Sequence, residues 1–427
     1  MEKRNKKYRE YVKILKEELV PAMGCTEPIA LAYAAAKARE VLASVPTSCI
    51  VEVSGNIIKN VKSVVVPNTN GLKGIGAAVS AGIVAGDSSK MLEVLSYINE
   101  EVKPKIAKYQ ETHDIAIIPF EGDALFFIKI TLFDGDSCAK VIIENYHTNI
   151  ILIEKNGEVL FKSGTEAKGN IDVTDRSMLN VEDIMAFADI VELSDIEEVI
   201  ERQIQYNSAI AKDGMENDWG ANIGKVLVCT YGNDIKVRAK ASAAAGSDAR
   251  MGGCEKPVII LSGSGNQSLA ASLPVIEFAL ELKVSREKLY RAVALSDLVA
   301  IHQKTSIGRL SAFCGAVSAG CAAGAGIAYL NGGDLDVISH TIVNALAIVS
   351  GMVCDGAKPS CAAKIAAAVD AGILGFSMYQ NGQQFFGGDG IVTKGVDNTI
   401  ANVGRMASRG MRETDREILN IMVNDKC

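Results

Sequence analysis

Residues 311–330 form a run of twenty without a charged side chain, Ser-Ala-Phe-Cys-Gly-Ala-Val-Ser-Ala-Gly-Cys-Ala-Ala-Gly-Ala-Gly-Ile-Ala-Tyr-Leu. Its length permits a membrane crossing, but Ala, Gly, Ser and Cys contribute little to insertion. Arg309 and Asp334 flank it closely. A helix that is small and uncharged on every side is instead buried where other helices approach it closely. The run therefore predicts the core of a helical bundle. The 427 residues are 48% apolar, enough for more than one core.

The periodicity from residue 180 onward agrees. Helices are predicted over 181–191, 196–212, 234–244, 268–282, 285–303, 310–330, 340–353, 361–377 and 400–411. Two Gly-rich breaks stand out: Val258 to Gln267, an apolar run ending in Ser-Gly-Ser-Gly-Asn-Gln, and Gln380 to Asp389. Toward the start, residues 5–20 read as an amphipathic helix ended by Pro21. Met-Gly-Cys-Thr-Glu-Pro at 23–28 then leads into an Ala-rich helix over 29–43, with Thr26 as its expected N-cap. Between these parts the texture is β-branched. Strands are predicted at 48–53, 61–66, 115–119, 124–133, 137–146, 150–155 and 158–162, with Asn156-Gly157 as a hairpin turn. Residues 71–86 and 90–111 read as helices. Gly74-Ile-Gly76 follows a strand, but a third glycine and a later acidic residue are missing, so no dinucleotide loop is expected. The expected fold class is α+β. Residues 1–45 are N-terminal helices packing on the helical part, 46–170 a smaller inserted α+β domain with an antiparallel sheet, and 171–427 a large all-helical domain.

A net charge of −7 argues against nucleic acid or an anionic membrane as the main partner. Residues 1–16 are rich in Lys, Arg and Glu without an apolar stretch, so no secretory signal is read there, and a cytoplasmic setting with reduced thiols is expected. The apolar helical half makes a homodimer the expected state. There are ten cysteines and four histidines, with no CxxC pair. Cys314 lies 40 positions before Cys354, and Cys361 lies 7 after it, in Cys-Asp-Gly-Ala-Lys-Pro-Ser-Cys. Spacing alone allows small buried thiols or thiolate ligands of an iron–sulfur cluster, whose space Gly/Ala-rich neighbours would leave open. Cys25 sits beside a helix N-terminus, where the dipole favours thiolate. Cys49, Cys138, Cys229 and Cys321 read as structural; Cys254 stays open.

Five stretches carry a resemblance: Gly-Cys-Thr-Glu-Pro at 24–28, Pro-Asn-Thr-Asn-Gly at 67–71, Gly-Ser-Gly-Asn-Gln at 263–267, Cys314, and the 354–361 segment. On them the chain resembles the L-cysteine desulfidase family over essentially its whole length. Over about residues 180–420 it also resembles the α-chain of bacterial iron–sulfur L-serine dehydratases. The resemblance implies a [4Fe–4S] cluster held by Cys314, Cys354 and Cys361. It also implies β-elimination from a small amino acid without pyridoxal phosphate, giving pyruvate, ammonia and hydrogen sulfide from L-cysteine. L-Serine dehydration is the first alternative, and a non-catalytic amino-acid sensor carrying a cluster the second. Such chemistry needs a base, for which Cys25, Lys358 and His302 are candidates, with Lys304 beside the last. It also needs donors for the substrate carboxylate. Ser264, Asn266 and Gln267 at a helix start are one expected set, and Asn68, Thr69 and Asn70 another. Glu27 reads as support for the helix start. Cys427, the last residue, carries a thiol and a carboxylate; a tail entering the site is one reading, and a frayed end the other.

Overall fold

The computed structural model describes residues 5–163, 174–308 and 310–424, without the side chains of 423 and 424. Cys427 lies outside the described residues. Helix α1 (Lys6–Glu18) starts where the Asn5 side chain accepts a hydrogen bond from the Tyr8 amide, and it buries Tyr8, Tyr11, Ile14 and Leu15 on one face. Pro21 lies inside a short strand, β1 (Val20–Met23), rather than in a bare break. Helix α2 (Thr26–Leu42) follows with Cys25 at the N-cap. Thr26 is already helical, and its hydroxyl donates to the Gly263 carbonyl at 2.9 Å instead of capping.

Strand β2 (Ser48–Val53) leads to a helix, α3 (Gly55–Val61), where the sequence predicted a strand from 61. Ile57 and Val61 turn inward on this helix, and Val64 and Val66 are buried beyond it. The valine run makes only one isolated bridge, Val65 to Lys73. Helices α4 (Gly74–Ala85) and α5 (Lys103–Thr112) come next. The helix predicted over 90–111 is thus confined to its second half, after a 3-10 turn at Ser88–Glu93. Five strands complete the sheet: β3 (Asp114–Pro119), β4 (Phe127–Asp134), β5 (Ser137–Glu144), β6 (Ile150–Lys155) and β7 (Glu158–Lys162). Their order is β3-β2-β4-β5-β6-β7, antiparallel except for the parallel β2–β3 pair. The sheet is therefore mixed rather than wholly antiparallel. The helical crossover through α3 to α5 is what a parallel neighbour requires. Val51, Ile130 and Val141 face the helices. The opposite face carries Lys129–Glu52 and Lys140–Glu154 ion pairs, each at 2.8 Å.

The remaining elements are helical except one. They are α6 (Val181–Ile190), α7 (Leu193–Glu216), α8 (Ile223–Tyr231), α9 (Ile235–Gly252), β8 (Pro257–Ile260), α10 (Gly265–Glu281), α11 (Arg286–Ile307), α12 (Gly315–Leu330), α13 (Leu335–Val349), α14 (Ser360–Gln380), α15 (Val396–Arg405) and α16 (Arg412–Asn424). Strand β8 pairs antiparallel with β1, Val20 opposite Ile260, and so ties the start of the chain to the helical part. Two apolar clusters result. One joins Tyr11 of α1 to Phe187, Leu295 and Phe313; the other joins α2 to the sheet through Ala30, Leu31, Val51 and Ile130. Residues 26–42 therefore go with the sheet, not with the helical part as the expected 1–45 grouping had it.

The charge-free run is the centre of the helical cluster: every residue from Ala316 to Leu330 is buried. α14 is the one helix among the described residues long and apolar enough to cross a membrane, and it packs against α9, α12 and α13. Small residues set that distance. A Cβ on Gly372 would lie 2.2 Å from the Gly320 carbonyl oxygen, and one on Gly320 2.4 Å from that of Ala368. Gly372→Ala is therefore expected to force α12 and α14 apart, at a cost of about 1–3 kcal/mol or more, read as a lower urea midpoint.

Candidate active site

Two loops bring the predicted cysteines together. Phe313 and Val353 form an isolated antiparallel bridge. Beside it the Cys354 amide donates to Ala312 O at 2.6 Å, and the Cys314 amide to Met352 O at 3.1 Å. Cys314 is the N-cap of α12 and Cys361 lies in the first turn of α14, so two helix N-termini converge there. Gly356 allows the turn between Cys354 and Cys361: its φ is +95°, and a Cβ would meet Lys59 O at 2.2 Å. Cys314, Cys354 and Cys361 line one cavity of about 110 Å³, several times the ~10–15 Å³ that one water needs. Gly315, Ala316, Gly356 and Ala357 keep its wall thin in side chains.

Two of the thiols are held in the protonated form by their surroundings. Burial, with Cys354 and Cys361 nearby, pushes the Cys314 thiol up to about 12; burial and Cys354 raise Cys361. Without a positive centre both hold protons, which a bound metal group displaces. Among the described residues, no three His, Cys, Asp or Glu side chains converge closely enough for a single metal ion. A cluster takes its thiolates on separate irons, and so suits cysteines set around a cavity rather than around a point. Asp355 between them is held down to about 2: burial opposes this, but Lys358 and Lys364 both bond it.

The opposite wall comes from α2, α3 and the start of α10. Cys25 and Glu27 both line the cavity. Glu27 is buried, with Oε1 accepting from Asn60 Nδ2 at 3.1 Å and Oε2 accepting from Cys25 Sγ at 3.2 Å; Thr26 Oγ1, which donates to Gly263 O, lies 3.1 Å from Oε2. Burial alone would raise its pKa, but its neighbours, His147 first and then Cys25, bring it down to about 2. His147 Nε2 lies 4.0 Å from Glu27 Oε1, beyond hydrogen-bond distance. Cys25 shifts the other way. Burial, then the Glu27 charge, raise it well above the usual thiol range, so it is a protonated donor and not the thiolate expected from the helix dipole.

Ser264, Asn266 and Gln267 line the same cavity at the first turn of α10. Arg250, near the end of α9, reaches it from behind. It is 2% exposed, and its Nη1 donates to Asn266 Oδ1 at 3.1 Å. Lys59, Asn56 and Lys304 complete the polar wall; Lys59 is already paired with Asp415 of α16.

Other expected site residues lie elsewhere. Asn68 is buried and donates to Leu95 O at 2.7 Å, Thr69 donates to Val66 O at 2.6 Å, and Asn70 is exposed. Asn68 and Asn70 have φ of 58° and 55°, so this stretch is shaped by its left-handed turn, for which Asn is suited. It does not line the cavity. Lys358 is tied to Asp355, and His302 Nε2 meets Asp397 Oδ1 at 2.8 Å; neither lines the cavity. Arg250, Asn56, Lys59 and Asn60 escaped the sequence reading, and Glu27 was read as helix support only. The available signal was a charge inside an otherwise buried Ala-rich helix, as at Arg250 in 243–251. Cys49, Cys254 and Cys321 are buried away from the site.

Residues 89–420 match the serine dehydratase alpha chain family. The chain belongs to that family. Similar proteins include a UPF0597 protein of Desulfitobacterium hafniense, 62% identical over 424 residues, which are 99% of each chain. A UPF0597 protein of Lachnoclostridium phytofermentans is 51% identical over 417 residues, 98% of this chain and all of the relative. One of Treponema denticola is 46% identical over 428 aligned positions, 98% of this chain and 99% of the relative. The serine dehydratase alpha chain match spans both walls of the cavity except Cys25, Glu27 and α3, which lie before residue 89.

Proposed function

We propose that the chain is an iron–sulfur lyase that removes the β-substituent of a small amino acid, with L-cysteine as its main substrate. L-Cysteine and water would give pyruvate, ammonia and hydrogen sulfide. The supporting observation is the meeting of Cys314, Cys354 and Cys361 on one cavity, from two loops stapled at Phe313 and Val353. Those three cysteines would hold a [4Fe–4S] cluster. When bound, it supplies a Lewis-acidic iron for the departing sulfur or oxygen. Around it, Cys25 keeps a proton on Sγ directed at Glu27, and Lys304 lines the same wall. A reducing compartment such as the cytoplasm suits these thiols.

The family name favours L-serine as the alternative substrate, since only the leaving atom differs. Anaerobically reconstituted protein is expected to form pyruvate from both, with the higher kcat/KM for L-cysteine. Cluster absorbance with pyruvate from neither would leave the sensor reading in its place.

A further inference from the structure

We propose that Arg250 and Glu27 are the two ends of a clamp for a free α-amino acid, Arg250 taking the α-carboxylate and Glu27 the α-ammonium. The inference rests on the reading of this cavity as an amino-acid site, and it assigns the recognition to two residues.

Arg250 is almost wholly buried, yet only Nη1 has a partner; Nε and Nη2 have none. Burying a guanidinium with most of its donors idle is costly, and a bound anion removes that cost. The planar fork suits a carboxylate taken by two parallel bonds. Its position is fixed. Asn266 holds one nitrogen, and Gly265 lets the group lie against the first turn of α10, where a Cβ would come within 2.5 Å of Nε. The helix N-terminus adds amides and a favourable dipole for the same anion. Asp248, two residues earlier, is not the missing counter-ion. Its oxygens accept the Ala221 amide at 3.2 Å and the Ile223 amide at 2.6 Å.

Glu27 complements it. A carboxylate has about four acceptor positions; Asn60 and Cys25 occupy two, and Thr26 Oγ1, whose one proton goes to Gly263 O at 2.9 Å, lies 3.1 Å from Oε2. One position on Oε1 is left for an N–H donor. Held well below the usual carboxylate range, Glu27 is a poor proton acceptor and a good counter-ion. Lys59 does not compete for this pairing, since it is spent on Asp415. One cavity thus presents a cation short of acceptors and an anion short of one donor, which is the pattern of a zwitterion.

The test uses L-alanine, which has no β leaving group, beside propionate, which lacks the ammonium, and ethylamine, which lacks the carboxylate. Binding to cluster-loaded protein is measured by calorimetry, with iron and sulfide assayed in every variant. Wild type is expected to bind L-alanine at least ~10-fold more tightly than either analogue. Arg250→Gln should bring L-alanine down to the level of ethylamine, and Glu27→Gln to that of propionate. Arg250→Lys keeps the charge without the fork and should lose about the same preference if the glutamine variant does not fold. Variants that keep wild-type discrimination with full cluster content would overturn the clamp. Wild type binding none of the three ligands would overturn it too. The intended binding pattern without pyruvate from cysteine or serine would support the clamp and sink the lyase reading alone.

Discussion

Replacing Cys354 with alanine is expected to remove iron and acid-labile sulfide from the anaerobic protein while leaving the fold in place. The side chain is only half-buried, and the loop is held by backbone bonds, Cys354 N to Ala312 O and Cys314 N to Met352 O, that alanine retains. The melting temperature of the apo protein should therefore move by a few degrees at most. Loss of function should be far larger. Changes outside the ligand sphere already cost ~10–100-fold, and removing a ligand should exceed that. Cys314→Ala and Cys361→Ala are expected to match it. Cys321→Ala is the internal control: this thiol lies within α12, fully buried among Ala and Gly and away from the cavity, so iron content should hold. A Cys354→Ala protein with wild-type iron would remove the foundation of the proposed mechanism.

How much of this could be read from the chain follows from the physics of each part. The charge-free run at 311–330 was legible because a helix of small residues has few alternatives, and its burial is complete. The helical half and the β4–β7 meander were legible from their periods. Residues 61–66 were not. Their valines carry strand propensity, but α3 takes the first of them and the rest find no ladder beyond Val65. The parallel β2–β3 pair was equally hidden, because pairing across the α3–α5 crossover is a tertiary choice. Within the site, Cys314, Cys354 and Cys361 were singled out by the family resemblance, since their spacing alone left small buried thiols equally open. Arg250 and Glu27 were not, since nothing in Ala-Arg-Met or Thr-Glu-Pro says which way a charge points. Asn68, Thr69 and Asn70 lie away from this cavity: a polar cluster beside a glycine signals turn chemistry as readily as a ligand, and here it forms a left-handed turn.

Asp297→Asn is expected to stabilise the protein above pH 6, by an amount that grows with pH. Asp297 lies fully buried on α11. Gln203 Nε2 donates to its Oδ1 at 3.0 Å and also to Ser268 Oγ, next to Gln267 of the cavity wall. Its Oδ2 has no donor, and Gln203 Oε1 likewise has none. Burial raises the carboxyl from an ordinary 3.8 to about 8, with the Gln203 bond only partly opposing. Below about pH 4 both folded and unfolded chains carry the proton, and the acid costs nothing. Between the two pKa values the unfolded chain releases it and the folded chain keeps it, so stability falls as pH rises. Above about 8 the loss levels off. At pH 7 roughly three units separate the solution from the unfolded pKa, a cost on the order of 4 kcal/mol. Asparagine has the same shape and cannot ionise, and its amide can donate to the idle Gln203 Oε1 while its oxygen keeps the Nε2 bond. Urea midpoints at pH 5, 6, 7 and 8 should therefore diverge from wild type in favour of the variant as pH rises. A constant difference across that range, or a less stable variant at pH 8, would mean that Asp297 is ionised in the fold and held by a partner other than Gln203.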